Sequence, residues 1–504
     1  MRVRSADGLG TARCGSRRQR AGVARCGSRR SPAARDAQRQ RGRNHGQVTT
    51  SSRGDLFGGL FDRGAAGTAD VGWLQAMLDT EAALARALER AGCAPTGSGA
   101  AVTAQATAAN FDVAEIGRQA ALTGNPVPTL VRSLSDLVPP GARDAVHRGA
   151  TSQDIIDTAL MLIARRGLDV IGADLFAVAA AAAALAAEHA ETVMAGRTLL
   201  QQAVPVTFGL IAAGWLTAAD EARRELASVR ATGLAVQFGG AAGTLASLGD
   251  NGPQVASLLA GELGLREPVL PWHTDRLRLI RLAGALAQAC AALGKIARDV
   301  TLLAQTEVGE VSEGGGEPGR GASSAMPHKR NPVASVVILG CTRRAPGLLA
   351  TVAANAEHEL QRAAGAWHAE WETLTDLLRL TASAAAWADE MLAGLSVDAE
   401  RMRANLNATG GLLMAEHVAT VLAPALGRLA AHDLVADASA RSARDGISLQ
   451  AALLDSPAVA RAGIGREELA AALDPAGYLG TAAGFVRRAL AAHRAQDDNP
   501  GSIG

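Results

Sequence analysis

Residues 275–306 read DRLRLIRLAGALAQACAALGKIARDVTLLAQT, with apolar side chains at 279, 282, 283, 286, 290, 293, 297, 300 and 303. Steps of three and four place those side chains along one stripe of an α-helix, and a strand alternation does not fit them. The pattern outruns an ordinary globular helix and predicts a long bundle helix. Runs at 155–190, 207–235, 334–354 and 371–394 have the same character. A shorter amphipathic helix is expected over 73–92, ending in Gly92, with a Gly/Pro-containing break at 122–131. Gly410-Gly411 opens a last section of shorter helices interrupted near Pro424, Pro457 and Pro475. No strand alternation of useful length is visible. The expected fold class is all-α around a central bundle of long helices, divided at 51–151, 152–393 and 394–504.

Composition agrees with that reading. Aromatic residues make up 3% of the 504-residue chain, while Ala and Leu dominate. The longest strongly apolar run without a charge, between Asp174 and Glu188, is shorter than the about 20 residues a bilayer-spanning helix needs. A soluble protein is expected.

The net charge of +1 conceals an asymmetry, because residues 1–50 hold thirteen arginines against Asp7 and Asp36. The remainder is acidic, which argues against a nucleic-acid partner. That basic segment repeats ARCGSRR at 12–18 and 24–30 and has few apolar residues, so it is expected to be disordered. An Arg-rich transit peptide fits it, as does an over-extended start with the natural chain beginning near Val48. Cys14, Cys26, Cys93, Cys290 and Cys341 form no CxxC pair, and a reducing cytoplasm is the simplest compartment.

Three segments break the bland helical composition. VHRGATSQDIIDT (146–158) presents His147, Thr151, Ser152 and Gln153 around Gly149. Its Thr-Ser-x-Asp portion would cap a helix without any function, and the free amides of such a terminus also suit a carboxylate. AGRTLLQQAVPVTFG (195–209) offers Arg197, Thr198, Gln201 and Gln202, either as a polar pocket wall or as a solvated helix start. GRGASSAMPHKRNP (319–332) combines glycines, the paired Ser323 and Ser324, and a His-Lys-Arg run. It suits a hinged loop that closes on an anion better than a packed element; the bland alternative is a flexible surface loop. No strand precedes it and no Gly-Lys-Ser/Thr follows, so a nucleotide-binding loop is a poor reading. Of the two lysines in the chain, Lys295 and Lys329, one lies in this run. No Cys/His/carboxylate cluster has metal-ligand spacing, so neither a metal nor another cofactor is expected.

SSAMPHKRN resembles the signature loop of the fumarase/aspartase superfamily, and the three segments follow that superfamily's order across about residues 55–490. Within it, HRGATSQDIIDT, GRTLLQQAVPVTFG, QFGGAAGTLASLG (237–249), LPWHT (270–274) and RAAGAWHAEWETL (362–374) are most similar to the bacterial 3-carboxy-cis,cis-muconate cycloisomerase family. Two departures stand out. Ala322 replaces a glycine of the signature, and Asp275-Arg276-Leu277 follows LPWHT where that family tends to show Gln-Arg-Asp.

The resemblance implies a three-domain helical subunit with its signature loop at 312–332. It also implies a homotetramer whose sites each draw the three segments from three subunits, acting on a tricarboxylate. Ser323 then matches the proton-transfer residue, while Lys329 and Asn331 stabilise a carboxylate that gains charge. His147, Thr151, Ser152, Gln153, Arg197, Gln201, His273, Ser324, Met326 and Arg330 are the expected substrate-binding set. His147 could equally be an ordinary surface histidine and His273 a packing residue. Many lyases of the superfamily carry Arg-Thr-His in the second segment, and this chain has Leu199 at the histidine position. A lyase dependent on that histidine would lose its usual acid for the leaving group, whereas a lactonising cycloisomerase would not miss it. The expected activity is therefore closure of 3-carboxy-cis,cis-muconate to 4-carboxymuconolactone in protocatechuate catabolism. An adenylosuccinate-type or argininosuccinate-type lyase is the alternative enzyme, and a non-catalytic structural protein on the same scaffold is the alternative class.

Overall fold

The computed structural model describes residues 56–314 and 320–498; the expectations for residues 1–50 lie outside these. Its principal helices are α1 (Asp70–Arg90), α2 (Ser152–Glu188), α3 (Phe208–Thr232), α4 (Leu277–Leu303), α5 (Val333–Thr342), α6 (Ala345–Ala354) and α7 (Ala366–Ala393). α2 packs on α1, α3 and α7, and α4 packs on α3, α5, α6 and α7. The all-α expectation holds. Every position of the stripe from Leu279 to Leu303 is buried on α4. Each leucine among them contributes roughly 1.5–3 kcal/mol of apolar transfer.

Two features depart from the sequence reading. The single helix expected over 334–354 is two helices, broken at Arg343 and Arg344. Pro346 has no N–H, and its ring would clash with the carbonyl four residues back, so the first helix stops at Thr342. The proline is then accommodated in the first turn of α6. The second departure is a β-hairpin where a polar pocket wall or a solvated helix start was expected. β1 (Val193–Thr198) pairs antiparallel with β2 (Gln201–Thr207), with Thr198 opposite Gln201. Leu199 and Leu200 form the two-residue turn at φ +51° and +65°, the twist that suits a tight hairpin. A second small pair, β3 (Val311–Glu313) with β4 (Leu395–Val397), lies beyond the end of α4.

The bundle and α1 share one buried apolar cluster, and a second gathers the C-terminal helices around Leu413, Val418, Leu422 and Leu449. Ala195 of the hairpin belongs to the second cluster. Ser152–Glu188, Leu277–Leu303 and the stretch Val333–Ala354 are each long and apolar enough to cross a bilayer by length and composition. This corrects the estimate from the uncharged run alone, which counted only part of α2. Half or less of each apolar window is buried within the chain.

Candidate functional site

Thr151 occupies the N-cap of α2 in extended backbone. Its amide donates to Asp154 Oδ2 at 3.0 Å. Asp154 also accepts from the Gly240 amide at 2.9 Å, from the Gly239 amide at 3.1 Å and from His273 Nε2 at 2.6 Å. Gly239 is required there, since a Cβ would lie 2.7 Å from both the His273 ring and Pro271. One buried carboxylate thus ties the start of α2 to the 237–240 turn and to the LPWHT segment.

His147, in left-handed backbone at φ +58°, is held by Glu81 of α1. The Glu81 carboxylate accepts from the His147 amide at 2.9 Å and lies 2.7 Å from Nδ1. Burial alone would lower the imidazole pKa, but the charge and hydrogen bond of Glu81 outweigh it and hold the group above its ordinary value. His147 and Ser152 remain half-exposed, with Thr151 between them in sequence and equally accessible. Gln153 and His273 are different. They are 2% and 4% exposed, and their polar atoms face inward: Gln153 Nε2 donates to the His273 carbonyl at 2.9 Å and to Asp157 at 3.1 Å.

One turn along α2, Asp157 accepts two hydrogen bonds from Arg276, at 2.8 and 3.0 Å, and one from Trp367 Nε1 at 3.0 Å. Arg276 also donates to both oxygens of Glu370, at 3.1 and 2.6 Å. His358 Nε2 lies 3.3 Å from Glu370 Oε1. The Asp157, Arg276, Glu370 and His358 side chains are at most 2% exposed. Within the Asp275-Arg276-Leu277 corner, Arg276 is the cation that joins α2 to α7, while Asp275 and Leu277, the two departures, are exposed and outside the network.

The other two segments lie at the opposite end of the bundle. Arg197 makes a bidentate pair with buried Glu310, at 2.7 and 2.8 Å, and Asn405 Nδ2 donates to the same carboxylate at 2.8 Å. Gln201 is exposed at the hairpin turn, and Leu199 is 95% exposed. In the loop, Ser323 Oγ accepts from the Met326 amide at 3.1 Å and the Ala325 amide at 3.4 Å. Two N–H groups aimed at Oγ favour negative charge there, which a serine acting on a proton requires. Ser324, Met326, Lys329 and Arg330 are exposed. Asn331 is half-buried and closes the loop neck by donating from both its amide and Nδ2 to the Gly321 carbonyl, at 2.9 and 3.1 Å. Below the neck, Arg320 and Arg63 both pair with Glu390 and lie over the Trp387 ring.

Glu370 and Glu390 are both on α7, so about 30 Å of helix separates the His147 end from the loop base. One chain brings Arg197 and the loop to the same end of the bundle but leaves His147, Thr151 and Ser152 at the other. Sequence reading quoted the segments that hold Asp157, Arg276 and Glu370 without giving these residues a role, and missed Glu81 and His358. A further local signal was the Asp154/Asp157 spacing, which puts two carboxylates on one face of a helix.

A family model described as Lyase matches residues 32–347, and one described as Adenylosuccinate lyase C-terminus matches 411–489. The chain is 47% identical to a 3-carboxy-cis,cis-muconate cycloisomerase of Pseudomonas aeruginosa, covering 86% of this chain and 94% of that protein. It is 46% identical to a nitrosuccinate lyase of Streptomyces davaonensis, covering 84% and 91%. The crystal structure of a 3-carboxy-cis,cis-muconate lactonizing enzyme from Pseudomonas putida superposes with a TM-score of 0.82 at 44% identity, covering 88% of this chain and 99% of that one.

Proposed function

The chain belongs to the lyase family of the fumarase/aspartase superfamily, and we propose that it is a cycloisomerase that closes 3-carboxy-cis,cis-muconate to 4-carboxymuconolactone. One substrate carboxylate forms a C–O bond to the adjacent alkene carbon. The π electrons move onto the neighbouring carbon and into its carboxylate, and that carbon then takes a proton. Ser323 supplies the proton; the two amides on its Oγ stabilise the alkoxide left behind. Lys329 and Asn331 face the carboxylate whose charge rises. His147, Thr151 and Ser152 bind a second carboxylate, with Arg197, Gln201, Ser324, Met326 and Arg330 completing the pocket. Gln153 and His273 position the start of α2 from behind.

The observation that carries this reading is Leu199 at the exposed hairpin tip. An aliphatic tip has no acid for a leaving amine, and ring closure expels nothing. A second reading is supported by the 46% identity to a nitrosuccinate lyase, because nitrite is a weak base that leaves without protonation. Purified protein offered 3-carboxymuconate should bleach the diene absorbance and yield lactone. Nitrite release from nitrosuccinate with the diene untouched would establish the other activity, and cleavage of argininosuccinate or adenylosuccinate would replace both.

The active form is a homotetramer, each site built from three subunits. Two features support this. The two ends of the candidate site are about 30 Å apart in one chain, and long apolar helix faces are left uncovered on α2, α4 and the α5–α6 stretch.

A further inference from the structure

The network behind the site does not balance in charge. Asp157 and Glu370 contribute two negative charges and Arg276 one positive charge, with all three side chains at most 2% exposed. A third carboxylate, Asp154, lies one turn away and is paired with His273 at 2.6 Å. Arg278 and Arg362 also act on Asp157, but their guanidinium groups bond backbone carbonyls, so one buried charge is left without a contact partner. One proton cancels it, and the geometry offers one place for it to rest. Glu370 Oε1 lies 3.3 Å from His358 Nε2, and both side chains are at most 1% exposed.

We propose that Glu370 and His358 share one retained proton at neutral pH, and that this pair positions the start of α2 for substrate binding. The groups that face Glu370 are Asp157 of α2, Arg276 at the head of α4 and His358 of the 355–365 loop. Burial raises the Glu370 carboxyl to about 7 against the opposing pull of Arg276. Burial and Arg276 together push His358 down. The proton therefore rests mainly on Glu370, beside the imidazole nitrogen 3.3 Å away. When it leaves, Arg276 is shared between two full carboxylates. The Asp157 end of the network then loosens, one turn below the Thr151–Asp154 cap.

Glu370→Gln approximates the protonated state: its amide oxygen at the Oε2 position still accepts from Arg276, and its NH2 at the Oε1 position reaches His358 but gives up the bond from Arg276 Nε. In the wild type, kcat/KM for lactonisation should fall about tenfold between roughly pH 6 and pH 8, with the loss in KM rather than kcat, as one proton comes off a group near pH 7. Glu370→Gln should keep wild-type kcat/KM at the lower pH and lose the part of the limb due to Glu370, leaving only the fall that follows the His147 titration read by NMR. A folded Glu370→Gln protein that is inactive at the lower pH, or whose limb is unchanged from the wild type, overturns the proposal. Infrared difference spectra of the full-length wild type across the same range give a readout independent of activity. The band of a buried carboxylic acid should disappear as pH rises, and its absence at the lower pH would overturn the proposal even if the variant failed to fold. The positioning role rests on the cycloisomerase reading only for the substrate assayed. A wild type that ignores carboxymuconate sinks that reading and leaves the infrared result standing.

Discussion

Glu81, fully buried on α1, grips His147 twice, through the backbone amide at 2.9 Å and through Nδ1 at 2.7 Å. The grip fixes the left-handed backbone of His147 and keeps its ring charged to higher pH than a free histidine. Replacing Glu81 with glutamine leaves the burial and removes the charge. The His147 resonance followed by NMR should then titrate below its wild-type position. The stability that this pair contributes is fully present below the ordinary histidine pKa of 6.5. It is lost as pH rises through the raised folded value. An unchanged titration in Glu81→Gln would show that the carboxylate does not set it.

Asp157 carries the opposite sign. Burial opposes its ionisation, but Arg276, Trp367 and Gln153 hold its pKa below the usual carboxylate value. Its contribution is present above the unfolded pKa and disappears as pH falls through the folded one. Asp157→Asn breaks a buried pair and should cost about 3–5 kcal/mol in urea unfolding. The same change lets Arg276 balance Glu370 alone, so Glu370 should release its proton at lower pH. A loss below about 1 kcal/mol would mean the network is not holding the bundle together.

Leu199 tests the choice of reaction. Leu199→His restores the residue many lyases of the superfamily carry, and lactonisation should stay level or fall. A large gain in lactonisation rate would contradict the cycloisomerase argument.

Shared sites predict rescue between damaged chains. Ser323→Ala and His147→Ala proteins should each be nearly inactive, and mixing them under conditions that exchange subunits should return part of the activity. Native mass spectrometry would confirm the mixed species. Mixed tetramers with no recovered activity would rule out sites built across subunits.

The long helices were readable because one face repeats with the helical period over many turns, as the buried positions of α4 demonstrate. The break between α5 and α6 was also written locally, in Pro346, but the apolar run on either side masked it. The hairpin was harder to see. Its strands span six and seven residues, carry Arg197, Gln201 and Gln202, and contain Pro205, so neither alternation nor β-propensity stands out. The buried network was out of reach for a different reason. Asp157 and Arg276 are 119 residues apart, and Arg276 and Glu370 are 94 apart. Folding alone makes them neighbours. Lysine scarcity was a partial guide: Lys329 lies in the signature loop, whereas Lys295 pairs with Asp299 one turn away on the surface of α4.

The hairpin turn has a consequence for how this enzyme should be handled. Two leucines in left-handed backbone each carry strain on the order of 1 kcal/mol or more, which glycine or asparagine would avoid. Burying each leucine side chain against another molecule is worth roughly 1.5–3 kcal/mol. Isolated, the tip is a liability; docked on a neighbouring subunit in the tetramer we propose, it is a net gain. By mass action, specific activity should then depend on stock concentration. A dilute preparation would lose turnover through dissociation before any helix unfolds, and simple reconcentration would restore it.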